Sequence, residues 1–230
     1  KAWANSHCTH APSQAQRLLR SMLQHNIQPD AVTFSILLHA YVKSNHPQAP
    51  HKAMALLHQM HRSNIQPDLI FFSTLIAAWA KSSHPNSAKQ AKSLLHTMEH
   101  HYNITVNVQT YNAVLLALAR SSDPTHGGPA AAEQFLTRTM LPSKKINTVS
   151  YNTLIDSYSR VGDAVNAHRI LHTFEAHSRD CVKDLTPNTV TYSTVIKAYA
   201  NSKSHNAPLK AMEILNKMES LYQSTNDTSV

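Results

Sequence analysis

Glycine is nearly absent from this 230-residue chain, at 3 residues in all. Loops that cradle phosphate on successive backbone N–H groups depend on glycine, so a glycine-rich nucleotide loop has nothing to form from. A G-x-S-x-G nucleophile elbow and a clustered acidic pair are also missing. The only cysteines, Cys8 and Cys181, are two isolated thiols. They make neither a disulfide framework nor a zinc cluster, and they suit a reducing compartment. No apolar run approaches bilayer-spanning length. Charged residues are sparse at 15%, yet one-sided, with 21 Lys and Arg against 13 Asp and Glu and a net charge of +8. Such an excess favours polyanions, because neutralising phosphates releases condensed counterions, although ordinary surface charge would look the same. There is no initiator Met and no signal-like start, and no terminal cap precedes Val230. Both ends are therefore expected to be cuts through a longer protein.

Repetition is what the chain does have. Five segments align without gaps: TFSILLHAYVK from Thr33, FFSTLIAAWAK from Phe71, TYNAVLLALAR from Thr110, SYNTLIDSYSR from Ser150 and TYSTVIKAYAN from Thr191. Their leading aromatics, Phe34, Phe72, Tyr111, Tyr151 and Tyr192, recur at intervals of roughly forty residues, a period that marks stacked repeats. Between them runs a second pattern, a small residue at i with apolar residues at i+3, i+4 and i+7, which is one face of an α-helix. Ala53, Leu56, Leu57 and Met60 show it, as do Ala91, Leu94, Leu95 and Met98. In the copy at Ala132, Phe135 and Leu136, Thr139 is expected in the last slot. Proline, Ser, Asn and Asp break the chain between the two patterns, as in SNHPQAP at Ser44 and SSDPTHGGP at Ser121. The expected fold is all-α, an α–α superhelix of stacked helix A–turn–helix B units, because no unit can bury its apolar stripe alone. The expected units are a partial one over 1–30 (mainly helix B), whole ones over 31–68, 69–107, 108–147 and 148–188, and a truncated one over 189–230.

The tetratricopeptide signature W-x₂-L-G-x₂-Y occurs in no copy. TYNAVL and SYNTLI, with Pro-Asp or Pro-Asn closing the preceding unit, instead resemble the pentatricopeptide repeat family across nearly the whole chain. The units run a few residues longer than is usual for that family, mostly in the helix A to helix B turns. In the unit starting at Thr148 the excess moves to HSRDCVKDLTPN, ahead of the next helix A.

The resemblance implies single-stranded RNA as partner, read at about one base per repeat by two residues. One follows the leading aromatic: Ser35, Ser73, Asn112, Asn152 and Ser193. The other closes the unit: Asp30, Asp68, Asn107, Asn147 and Asn188. A short Ser leaves room for a purine, Asn reaches a pyrimidine, and Asp offers only acceptors, which suit an imino N–H. The family's pairing gives G for Ser35 with Asp68 and A for Ser73 with Asn107. It gives C or U for Asn112 with Asn147 and for Asn152 with Asn188, and a purine for Ser193, hence 5′-G-A-Y-Y-R-3′. The alternative is that Ser and Asn behind the aromatic only cap helix A, although a cap belongs before the helix.

Val32, Ile70, Val149 and Val190 are implied to sandwich bases, with Gln109 breaking the pattern; helix-start packing is the alternative. Lys43, Lys81, Arg120 and Arg160 fall at equivalent positions near the ends of the A helices and are implied to contact phosphates. Four such contacts predict a log K against log[salt] slope of roughly −3. The alternative there is a cation favouring the helix dipole.

Of the 17 histidines, His96 with His100 and His58 with His61 share helix spacings, but no third ligand stands at a fixed distance, so no metal and no cofactor is expected. His46, His84, His126 and His205 recur in turns, as surface residues do. The chain is expected to be no enzyme, to meet no membrane and no small-molecule substrate, and to act beside RNA-processing or ribosomal proteins in a mitochondrion or chloroplast, where the family works. The rival expectation is a tetratricopeptide-like protein-interaction scaffold, or a structural subunit of an organellar ribonucleoprotein.

Overall fold

The computed structural model describes residues 11–44, 48–123, 125–180 and 185–227, with only the backbone described at residues 11, 12, 180 and 221–227. Cys8, Cys181, His46 and the turn prolines Pro47 and Pro124 lie outside the described residues. Those described form eleven α-helices and no strand. They are α1 (Ala11–Gln24), α2 (Ala31–Lys43), α3 (Ala49–Arg62), α4 (Leu69–Lys81), α5 (Ser87–His96) and α6 (Val108–Arg120), followed by α7 (Pro129–Phe135), α8 (Thr148–Arg160), α9 (Ala164–Asp180), α10 (Thr189–Asn201) and α11 (Ala207–Asp227). None of the described helices is long and apolar enough to cross a membrane.

The chain divides into two compact units. One comprises residues up to Ala117 with Ser121–His126, and the other comprises Leu118–Arg120 with the chain from Gly127 onward. In the first, α2 packs against α1, α3 and α4, and α4 against α3 and α5. In the second, α8 packs against α7, α9 and α10, and α10 against α9 and α11. Within each unit even-numbered helices touch, α2 with α4 and α8 with α10; the even-numbered helices are termed inner and the odd-numbered ones outer. Inner helices are covered on several sides, so α4 buries Phe71, Phe72, Leu75, Ile76, Ala78, Trp79 and Ala80. Outer helices bury one stripe, such as Ala53, Leu56, Leu57 and Met60 of α3. Prolines open outer helices: Pro50 and Pro129 occupy first-turn positions, where no intrahelical N–H is needed.

Charged side chains tie the hairpins of the second unit together. Arg169 of α9 grips both carboxylate oxygens of Glu133 of α7, at 2.9 and 2.8 Å, and the Tyr158 hydroxyl of α8 donates to the same carboxylate. Lys217 of α11 binds Glu175 of α9 at 2.6 Å, and Tyr192 of α10 donates to it at 3.1 Å. Burial, together with these carboxylates, raises the pKa of both tyrosines, so they remain neutral donors.

One sequence expectation is corrected. α5 and α7 continue into π-helical turns, Thr97–His101 and Leu136–Met140. The extra residue closes i→i−5 bonds such as Leu141 N–H to Leu136 O at 2.9 Å. It carries Met140 into the core at 0% exposure, while Thr139 stays half-buried. The last slot belongs to Met140.

Four outer helices, α1, α3 and, with their π-turns, α5 and α7, also end alike. Asn26, Asn64, Asn103 and Lys144 take φ of 57°, 54°, 50° and 55°. At Asn64 the next amide, Ile65 N–H, reaches back to Met60 O at 2.9 Å, and Asn64 N–H reaches His61 O at 3.1 Å. This is the double closure of a left-handed helix C-terminus. Asn tolerates that conformation and β-branched residues do not. Asn64→Val is therefore expected to lower stability by about 1–2 kcal/mol, with Asn64→Gly close to neutral, as read from urea denaturation midpoints. Equal midpoints for the two variants would discard the account.

Candidate nucleic-acid interface

Each inner helix is started by the residue expected to close the previous repeat. Asp30, Asp68, Asn107, Asn147 and Asn188 stand just ahead of α2, α4, α6, α8 and α10. The Oδ1 of each accepts a backbone N–H three residues on: from Thr33 at 2.8 Å, Phe71 at 2.7 Å, Thr110 at 2.9 Å, Ser150 at 3.2 Å and Thr191 at 3.1 Å. Where that third residue has a hydroxyl, it closes back on the cap: Thr33 on Asp30 at 2.6 Å, Thr110 on Asn107 at 2.8 Å. Capping thus falls to the closing residues rather than to the Ser and Asn behind the aromatics. Asp or Asn with Ser or Thr three residues on was the signal for it, a hydroxyl version of the capping box.

The cap decides what each closing residue can show. With Oδ1 committed to its own helix, an aspartate has only the acceptor Oδ2 left, and an asparagine only the donor Nδ2. Oδ2 of Asp30 and Asp68, and Nδ2 of Asn107 and Asn188, have no partner among the described residues. The Thr33 hydroxyl and amide hold the Asp30 carboxyl below its usual pKa, so it stays ionised.

The residues behind the aromatics fall in the first turn of each inner helix. Asn152 of α8 meets the following cap directly, with Nδ2 3.5 Å from Asn188 Oδ1. Ser73 and Ser193 donate to carbonyls of their own helices, Ile70 O at 3.0 Å and Val190 O at 3.2 Å, leaving oxygen lone pairs. Asn112 is half-buried on α6. Ser35 differs, because its Oγ is shielded from solvent with no hydrogen-bond partner.

The second stripe is exposed aliphatic surface. Val32, Ile70, Val149 and Val190 are 57%, 66%, 55% and 56% exposed, and Gln109 is exposed as well. Plain packing at the helix start would leave these side chains more covered than they are. Isolated exposed apolar residues are common, but four at one repeat position are a pattern.

The basic stripe is uneven. Lys43, Lys81 and Arg120 carry no ion pair among the described residues, and Lys81 and Arg120 are exposed. Arg160, by contrast, is held by Asp156 at 2.8 Å, and Asp156 also meets Lys197 of α10 at 3.4 Å. Sequence reasoning missed this acid, although Asp four residues before Arg on a helix signals an ion pair. Among the described residues, no three His, Cys, Asp or Glu side chains converge as for a metal ion; the His96 and His100 rings lie 4.4 Å apart.

Comparison with known proteins places this geometry. The pentatricopeptide repeat domain matches residues 17–82 and 144–201. The pentatricopeptide repeat protein PPR10 from maize superposes with a TM-score of 0.70 at 22% identity, over 94% of this chain and 28% of that one. PPR10 in complex with an 18-nt psaJ RNA element superposes at 0.58 and 19% identity, over 92% of this chain and 33% of that one. The chain thus spans about a third or less of these proteins. No curated protein matches it. The fold is the all-α helical solenoid, and the matched segments cover more than half of the sequence. This chain belongs to the pentatricopeptide repeat family.

Proposed function

We propose that the chain binds single-stranded RNA sequence-selectively, at about one base per repeat, over repeats 31–68, 69–107, 108–147, 148–188 and 189–230. The observation that carries this reading is the Asn152–Asn188 contact, where the first-turn amide and the closing cap amide of one repeat stand side by side. Two such groups, with fixed hydrogen-bond polarity, are what reading a base edge requires. The exposed Val32, Ile70, Val149 and Val190 supply apolar surface for base faces, and Lys43, Lys81 and Arg120 supply charge for phosphates. The RNA held by PPR10 supports the same reading.

The cap chemistry accounts for the expected code. Asp68 turns a lone acceptor outward, which suits the imino N–H of guanine beside Ser35. Asn107 turns a donor outward, which suits the acceptor N1 of adenine beside Ser73. Asn188 offers a donor next to the longer Asn152, which leaves room only for a pyrimidine. The chain is a non-catalytic adaptor in this reading, acting on organellar transcripts in processing, stability, editing or translation, in a mitochondrion or chloroplast. Selection of bound species from a random pool of short RNAs tests it. Enrichment of 5′-G-A-Y-Y-R-3′ is expected, and a pool in which purines do not precede pyrimidines would reject the register.

A further inference from the structure

Thr191, the third residue of α10, is wholly buried at 0% exposure, yet its hydroxyl is shared between the cap of its own helix and α8. It accepts the Asn188 N–H at 3.1 Å, which completes the cap of its own helix. Its single proton has two candidate acceptors, Asn188 Oδ1 at 3.1 Å and Asn152 Oδ1 on the preceding inner helix at 2.6 Å. The shorter contact goes to Asn152. Thr110, at the same place on α6, follows a repeat whose first-turn residue is Ser73, and its hydroxyl donates at 2.8 Å to its own cap, Asn107. Ser73 is too short to compete and bonds to its own helix.

We infer that Thr191 is a positioning residue for specificity: it fixes the Asn152 amide with its oxygen inward and its Nδ2 outward, so that this repeat takes cytosine over uracil. This rests on the base-reading role proposed above for Asn152. The reverse amide orientation would set Asn152 oxygen against Asn188 Oδ1, where Nδ2 now stands at 3.5 Å, and would leave the Thr191 proton only the longer contact. With the amide fixed, both outward groups of the pair, Asn152 Nδ2 and Asn188 Nδ2, are donors. Cytosine presents an acceptor at N3, whereas uracil presents an N–H there, and two donors facing each other leave both unpaired. An amide free to turn would offer its oxygen to uracil and lose the distinction.

The test uses the whole chain and two RNAs that differ only in C or U at the fourth nucleotide of the G-A-Y-Y-R site. The unsubstituted chain is expected to favour C by about three- to tenfold, the scale of one hydrogen bond. Thr191→Val, which keeps the shape and removes the hydroxyl, should bring the ratio to within about twofold, while Thr191→Ser keeps it. Thr110→Val inflicts the same loss on another cap and should leave the fourth-position ratio unchanged, which separates positioning from general weakening. Asn152→Asp replaces the outward donor by an acceptor and should reverse the preference to U. This surface change serves equally where Thr191→Val does not fold, and an unaltered U affinity overturns the inference. A C preference that survives Thr191→Val overturns it while leaving base reading intact. No discrimination at any of the five positions removes the base-reading proposal itself, and this inference with it.

Discussion

Replacing Lys43, Lys81 and Arg120 together with glutamine will flatten the salt dependence of RNA binding by about 2 units of log K per log[salt], at roughly 0.7 per phosphate on single strands. At physiological ionic strength the same change weakens binding on the order of fiftyfold, almost equally for all sequences. Arg160→Gln is expected to do far less, because Asp156 already neutralises that guanidinium at 2.8 Å. A triple variant whose titrations across a salt series keep the original slope would take these cations out of the interface. With three of the four stripe cations lacking an ion pair among the described residues, the slope expected of the unsubstituted chain becomes about −2.

Phe72→Ala will lower stability by about 3–5 kcal/mol, because it empties a fully buried ring site. The Phe72 ring lies 5.2 Å from Tyr102 and 6.5 Å from Phe71, so little of the void can close. Ile70→Ala, two residues earlier, removes a side chain that is 66% exposed and is expected to change stability by less than about 0.5 kcal/mol. Urea denaturation of the two variants checks both numbers. Comparable losses at the two positions would mean that Ile70 packs in solution and is no wedge for a base. In a repeat array each unit leans on its neighbours, so the Phe72 loss extends to α2, α3 and α5, which pack against α4, rather than remaining local.

How much could be read beforehand follows from which patterns survive averaging over five copies. Phe34, Phe72, Tyr111, Tyr151 and Tyr192 were legible as core because aromatics recur there and all five are buried. The outer helices were legible from their i, i+3, i+4 spacing. The π-turns were not, because one extra residue inside a helix leaves no compositional mark, and Thr139 was placed where Met140 lies. The caps were partly legible. Asp68 and Asn107 stand out in the sequence as candidate readers, but their bonds from Phe71 N–H and Thr110 N–H decide which atom is left uncommitted. The pairing of Arg160 with Asp156 shows the limit of treating equivalent positions as equivalent chemistry, since no other copy has an acid four residues earlier.

The caps have a consequence for how such a chain can change its target. In the proposed reading such a residue must both start a helix and face a nucleotide, and it is confined to side chains able to do the first job. Substituting Asn107 with lysine or leucine to invent a new preference would forfeit about 1 kcal/mol of helix stability before any base is met. The vocabulary open to evolution, or to an engineer rewriting the target, is thereby narrowed at this position to a few short polar letters. Novelty has to come from the neighbouring first-turn site, or from adding another hairpin to the row.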